Sequence, residues 1–257
     1  NNQVYGYNCT TMSKFITVLL AESALETFPK ELLSGLEVRQ FFSKLKKTPS
    51  EVMFDMGYHS NFTKGLTDIE KRGRPDIVHF ALLSCFGSIL AREQRLKVLI
   101  HTYKDKVIEI NPEARLPKNI DRFNGLILQL FKGKKIPLDS SNPLMVLTEQ
   151  SLIELLSELR PKHDLIIEFS VKGEQLSSSD YSKIIFNATN PLLIFGAFPH
   201  GEISDLPNDL IDKRIGIYEE GLDLFAVISQ ILASQHMIEE EFLTRLPDSD
   251  KQSITWK

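Results

Sequence analysis

Cysteine is scarce in this chain, with only Cys9 and Cys85 among 257 residues. A protein of this length buries most of the apolar surface that it exposes when unfolded, so it needs no disulfide framework. Cys9 lies in a polar stretch and Cys85 in an apolar helical pattern, which makes a reducing compartment the default expectation. Two distant cysteines and six scattered histidines, with no H-E-x-x-H, leave no pattern for a metal, and none is expected. No run approaches the roughly 18 apolar residues of a membrane helix, so no membrane partner is expected. The first eleven residues, NNQVYGYNCTT, lack the basic start and apolar middle of a secretory signal. They read as a leader, with Met12 as the start, and the sequons at Asn8, Asn61 and Asn187 then read as chance matches. Internal repeats, low-complexity segments and the G-x-S-x-G elbow of serine hydrolases are also missing.

What is present is ordinary in amount and uneven in placement. The chain is 42% hydrophobic and 25% charged with a net charge of −4, which excludes intrinsic disorder and suits a folded domain. Between residues 71 and 135 there are 14 Lys/Arg against 6 Asp/Glu, so this segment is strongly basic and the remainder acidic. Such a distribution fits one face turned to a polyanion, set against the plainer reading of a solvated charged surface. The acidic run 239–241 reads as the end of an exposed helix.

The hydrophobic pattern is that of an α/β protein. Residues 14–22, KFITVLLAE, form a β-branched run that predicts a buried strand, followed by helical periodicity to about Leu45 and a short strand at 52–54. Pro75 suits the first turn of a helix that continues through IVHFALLSCFGSILA, where its missing N–H costs nothing. LKVLIHT and KVIEI, at 96–102 and 106–110, predict a β-hairpin, and Asn119 predicts the cap of a helix reaching Phe131. Thereafter the pattern alternates: helix 149–159, strand 165–169, helix 179–186, strands 192–195 and 214–218, and a long helix from Leu222. The expected fold is a mostly parallel sheet flanked by helices, with 28–142 as an elaboration inserted after the first strand. Ligands in such sheets bind beyond the carboxyl ends of the strands, which draws attention to the loops after 195 and 218.

Two groups of residues carry chemistry. GAFPHGE, at 196–202, has the glycines of a phosphate loop, but Glu202 stands where the lysine belongs and would repel a phosphate. G-x-G-x-x-G is absent too. Gly196 and Gly201 are then either ordinary turn glycines or the floor for a cofactor without phosphates, such as S-adenosylmethionine, whose sulfonium tolerates Glu219 and Glu220 nearby. In RPD, Arg74 and Asp76 form either a structural ion pair or an oriented phosphate clamp at a helix N-terminus. Arg115, Lys118 and Arg122 recur at spacings of three and four, which share a helical face if the helix begins early enough.

RPDIVHFALL (74–83), VLIHTYKDKVIEINPEARLPKNIDRFNGLILQLF (98–131) and LLIFGAFPHG (192–201) together resemble the Nep1/Emg1 family of small-subunit rRNA pseudouridine methyltransferases. The resemblance covers most of the chain from Met12 onward. It implies a SPOUT-type fold with a C-terminal trefoil knot, a single domain over 12–257 and a homodimer. It implies methyl transfer from S-adenosylmethionine to ring nitrogen 1 of a pseudouridine in small-subunit rRNA, and a role in subunit biogenesis. Carried over by motif, Arg74, Arg115, Lys118 and Arg122 are RNA-binding, and Lys118 stands where relatives usually have arginine. Asp76 is the acidic partner that holds an arginine, or else the proton acceptor. Phe169, Gly196, Gly201, Ile215, Gly216, Ile217, Tyr218, Glu219, Glu220 and Leu222 are the expected cofactor contacts. Here the final loop departs from the family pattern, reading IGIYEEGLD where many relatives have S-I-S-N-Y-P-L-S. That departure keeps a second function open, an rRNA-binding assembly factor with weak or lost methyl transfer. The expected location is the cytoplasm for an archaeal-type protein, or the nucleolus for a eukaryotic one.

Overall fold

The computed structural model describes residues 15–245, together with a small antiparallel pair upstream, β1 (Gln3–Val4) and β2 (Tyr7–Asn8). Cys9 and the start expected at Met12 lie outside the described residues. Eight strands form one sheet: β3 (Ile16–Ser23), β4 (Leu96–Thr102), β5 (Lys106–Ile110), β6 (Lys135–Ile136), β7 (Met145–Glu149), β8 (Leu165–Gln175), β9 (Pro191–Gly196) and β10 (Lys213–Gly216). Their spatial order is β10-β8-β9-β3-β4-β5-β7-β6. Neighbours from β10 to β4 run parallel, and those from β4 to β6 antiparallel. The helices are α1 (Leu36–Leu45), α2 (Met56–His59), α3 (Pro75–Gly87), α4 (Ile89–Arg92), α5 (Ile120–Gly133), α6 (Leu152–Leu159), α7 (Ser178–Phe186) and α8 (Leu224–Arg245).

The central strand explains the layering. Every residue of β3 is buried, as a continuous apolar run in a parallel sheet requires. Because side chains alternate across a strand, Ile16, Val18 and Leu20 join the core beneath α3, α5, α7 and α8, whereas Leu19 and Ala21 join the core beneath α6. A smaller aromatic cluster around Phe28, Phe54 and Val38 anchors the 28–66 segment. The hairpin predicted at 96–110 is formed, but β4 also pairs in parallel with β3, so it belongs to the main sheet.

Several boundaries differ from the sequence pattern, each for a local reason. The helix expected up to Leu45 begins only at Leu36, after Pro29 and a short 3-10 turn at Lys30–Leu32. The strand expected at 52–54 is a single bridge between Thr27 and Met53. Ser88 ends α3 and caps α4 by accepting from the Ala91 N–H, so the apolar run is two helices. Glu149 ends β7 and does not start a helix. The helix start belongs to Ser151 and Glu154, which form a reciprocal capping box. The last strand stops at Gly216 and α8 begins at Leu224. In the acidic run 239–241, Glu240 and Glu241 are exposed near the end of α8, but Glu239 is buried and ion-paired with Arg95.

Candidate active site and nucleic-acid interface

A cleft of about 460 Å³ opens beyond the carboxyl ends of β9 and β10. Its apolar wall comes from Phe169, Phe195, Ile215, Ile217 and Leu222, with the rings of Phe169 and Phe195 stacked at 4.9 Å and 6°. Gly196 and Gly201 line the cleft, and both need to be glycine. A side chain on Gly196 would press within 2.7 Å of the Phe198 ring, and Gly201 has φ +97. Tyr218 and Glu220 also line it, whereas Gly216 and Glu219 do not.

The sequence pattern missed one determinant of this shape. β10 pairs with β8 through Ile167 and Glu168, and then skips to Glu174 and Gln175. Residues 169–173 thereby leave the ladder with β10, although Phe169 still pairs with Phe195 of β9, and Ser170 and Val171 reach the cleft. Gly173 makes the slip possible, because a Cβ there would sit 2.5 Å from the Ile215 backbone. Only a register shift between two distant segments reveals this, so no local signal marked it. Ser170 Oγ donates to Glu202 at 2.6 Å and ties the loop after β9 to the released part of β8. The carboxylate that disqualified a phosphate loop is thus held at the cleft wall, where Asp223 is also found.

Arg74 lines the same cleft from the N-terminus of α3. Its Nε and Nη2 donate to the two Asp76 oxygens, each at 2.8 Å, the fork geometry of a bidentate pair. Burial acts to raise the Asp76 carboxyl, but the hydrogen bonds and charge of Arg74 outweigh it and hold the group below the usual carboxylate range. The hydrogen bonds that Arg74 donates to Asp76 in turn push its guanidinium further up.

The other three predicted cations are elsewhere. Arg115 and Lys118 precede α5 outside any helix, so they share no helical face with Arg122, which stands in its first turn. Arg115 and Lys118 border a second cleft, of about 720 Å³, at the other end of α3. His79, buried in α3, donates from Nε2 to the Pro117 carbonyl at 2.7 Å and moors this loop to the helix. Much of the basic segment's charge is already used internally: Lys71 pairs with Glu22, Arg72 with Glu26, Arg95 with Glu239 and Lys104 with Glu31. Arg92, Arg115, Lys118 and Arg122 enter no ion pair among the described residues and are exposed. Cys85 is buried, with its thiol pushed up to about 12, and is inert. Among the described residues no group of His, Cys, Asp and Glu is placed to hold a metal, and no helix is long and apolar enough to cross a membrane.

The residues of the first cleft fit S-adenosylmethionine. Aromatic and aliphatic walls suit an adenosine, the glycine loop allows close backbone approach, and Glu202, Glu220 and Asp223 suit a sulfonium. Comparison with known proteins points the same way. The fold is similar to a crystal structure of Archaeoglobus fulgidus Nep1 bound to S-adenosylhomocysteine, with a TM-score of 0.71 and 26% identity, covering 89% of this chain and 100% of that one. In sequence the chain is 36% identical over 215 residues to the ribosomal RNA small subunit methyltransferase Nep1 of Thermococcus onnurineus, covering 84% of this chain and 95% of the relative. It is 38% identical over 228 residues to the Nep1 of Methanothrix thermoacetophila, covering 87% and 97%. Residues 18–236 match the family model described as EMG1/NEP1 methyltransferase, and with these relatives and this fold the chain belongs to that family.

Proposed function

We propose that this protein methylates ring nitrogen 1 of a pseudouridine in small-subunit rRNA, with S-adenosylmethionine as donor, and takes part in small-subunit biogenesis. The observation that carries the reading is an apolar-walled cleft with a glycine loop and carboxylates, lined also by an arginine that Asp76 orients. Phe169, Gly196, Gly201, Ile215, Ile217, Tyr218, Glu220 and Leu222 hold the cofactor, and Gly216 and Glu219 support its loop from outside the lining. When bound, the cofactor supplies an electrophilic methyl group on a sulfonium.

The residues of this chain orient the nucleophile. An imide nitrogen is a poor nucleophile until its proton leaves, so the site must fix the base and stabilise anionic charge as it develops. The free guanidinium edge of Arg74 does this while Asp76 fixes its other edge. The lowered pKa of Asp76 favours the orienting role over that of proton acceptor. A base presented to this cleft is turned out of its stack, because its edge is inaccessible in paired RNA. Arg115, Lys118 and Arg122 bind RNA phosphates outside the cleft.

We read residues 12–257 as one domain, of which 12–14 and 246–257 lie outside the described residues, with the RNA-facing elements drawn from 28–142. The C-terminal segment is read as a trefoil knot, as the resemblance to the family implies. The working form is a homodimer, supported by an exposed apolar surface where Phe80 of α3 meets Phe225 of α8 at 6.1 Å. Its place is the cytoplasm, or the nucleolus in a eukaryote.

The test is incubation with labelled S-adenosylmethionine and an rRNA hairpin carrying pseudouridine or uridine at the loop position. Label on the pseudouridine RNA alone is the expected result. Absence of label on both, with RNA and cofactor bound, supports the second reading, an assembly factor without methyl transfer. The departure of 215–223 from the family pattern is what favours that alternative.

A further inference from the structure

The second cleft, at the carboxyl-terminal end of α3, has a composition that phosphate binding alone does not explain. Its floor is apolar, made by Leu83 and Phe86 of α3, Ala91 of α4 and Leu116 of the loop before α5. Three cations, Arg92, Arg115 and Lys118, stand on its rim, and Glu113 is the one carboxylate among the described lining residues. Arg92 has no part in the cofactor cleft, and its exposed side chain makes no hydrogen bond or ion pair among the described residues. A simple electrostatic strip needs no apolar recess, and an apolar protein contact does not favour a ring of unpaired cations. A nucleotide of single-stranded RNA needs both, since its base has an apolar face and its phosphates are anionic.

We infer that this cleft is a second nucleotide seat for the substrate RNA: one unpaired base rests on Phe86 and Leu116, and its flanking phosphates lie against Arg92, Arg115 and Lys118. The inference rests on the RNA reading proposed above and adds to it Arg92 and an apolar base seat. α3 spans both clefts, with Arg74 at its start and Phe86 near its end, a separation of about 18 Å at 1.5 Å per residue. The two seats therefore take different nucleotides of one strand, and the second fixes the register in which the first receives its base. The mooring of Pro117 by His79 keeps the rim at a fixed distance from Arg74.

The test uses the full chain and the same rRNA hairpin, with binding measured over a range of salt concentrations. Arg92→Ala is expected to weaken RNA binding and to lower the slope of log affinity against log salt by about 0.7, the release of one counterion from a single strand. Cofactor affinity is expected to stay as it was. An abasic scan of the hairpin is expected to find, besides the methylated position, one further position where base removal weakens binding about five- to a hundredfold. In Phe86→Leu, which retains an aliphatic side chain against the core, that second penalty is expected to shrink while the first remains. An Arg92→Ala protein with unchanged affinity and salt slope, or a scan with no second position, overturns the inference while leaving the methyltransferase reading intact. Failure of the unaltered protein to bind RNA at any salt overturns the RNA reading itself, and this inference with it.

Discussion

Arg72 and Glu26, separated by 46 positions in sequence, meet in the interior through two hydrogen bonds of 2.6 and 2.7 Å, with the guanidinium fully buried. Two residues further on, Arg74 is half-exposed at the cleft and is held by Asp76 instead. Neighbouring arginines of one basic motif thus serve different ends: one fastens the segment before α3 to the chain just past β3, and the other lines the cleft.

Removing the carboxylate partner of the inner pair leaves a buried cation with only the more distant Glu31, at 3.8 Å, to balance it. Glu26→Gln is expected to destabilise the fold by about 3–5 kcal/mol, the usual cost of breaking one side of a buried ion pair. Chemical denaturation of the purified variant checks this, and a loss below about 1 kcal/mol contradicts the burial argument.

For the outer pair the expected damage is functional. Asp76→Asn keeps the size of the side chain but removes the charge that orients Arg74, so RNA affinity and methyl transfer should fall together, each by about tenfold or more. Methyl transfer lost with RNA affinity intact would instead make Asp76 the proton acceptor.

Gly173 of β8 leaves no room for a side chain against β10. Gly173→Ala must push against the Ile215 backbone, which has no flexible end to move aside, and should cost about 1–3 kcal/mol. Because Ile215 lines the cleft, binding of S-adenosylhomocysteine measured by calorimetry should weaken as well. Unchanged melting temperature and affinity count against the register slip.

His59, His101 and His163 supply a pH dependence. Burial lowers each below the ordinary histidine range, and Asp55, Asp105 and the Leu159 carbonyl offset this only in part. All three are therefore neutral in the fold and protonate more readily when unfolded, near pH 6.5. The unfolded state then binds more protons, so stability is full above about pH 6.5 and is lost as pH falls below it. Melting temperatures at pH 7.5, 6.5 and 5.5 should decline in that order, and less steeply in His59→Phe. A flat or rising series refutes the assignment.

Much of this protein was legible in the order of its residues. The continuous apolar run of β3, Pro75 at the first turn of α3, the Asn119 cap and the glycines of 196–201 are local signals, because backbone conformation and side-chain periodicity are set by near neighbours. The long motifs at 74–83 and 98–131 carried the family for the same reason: they are contiguous. What the sequence could not supply was pairing between distant segments. It did not separate the cations that Glu22, Glu26 and Glu239 neutralise inside the fold from Arg92, Arg115, Lys118 and Arg122, which stay exposed, since charge is additive along a chain and partners are not. Nor did it reveal the slipped ladder between β8 and β10, or the division of the predicted RNA cations between two ends of α3. Those features depend on which surfaces meet when the sheet closes over its helices, and only the tertiary structure decides that.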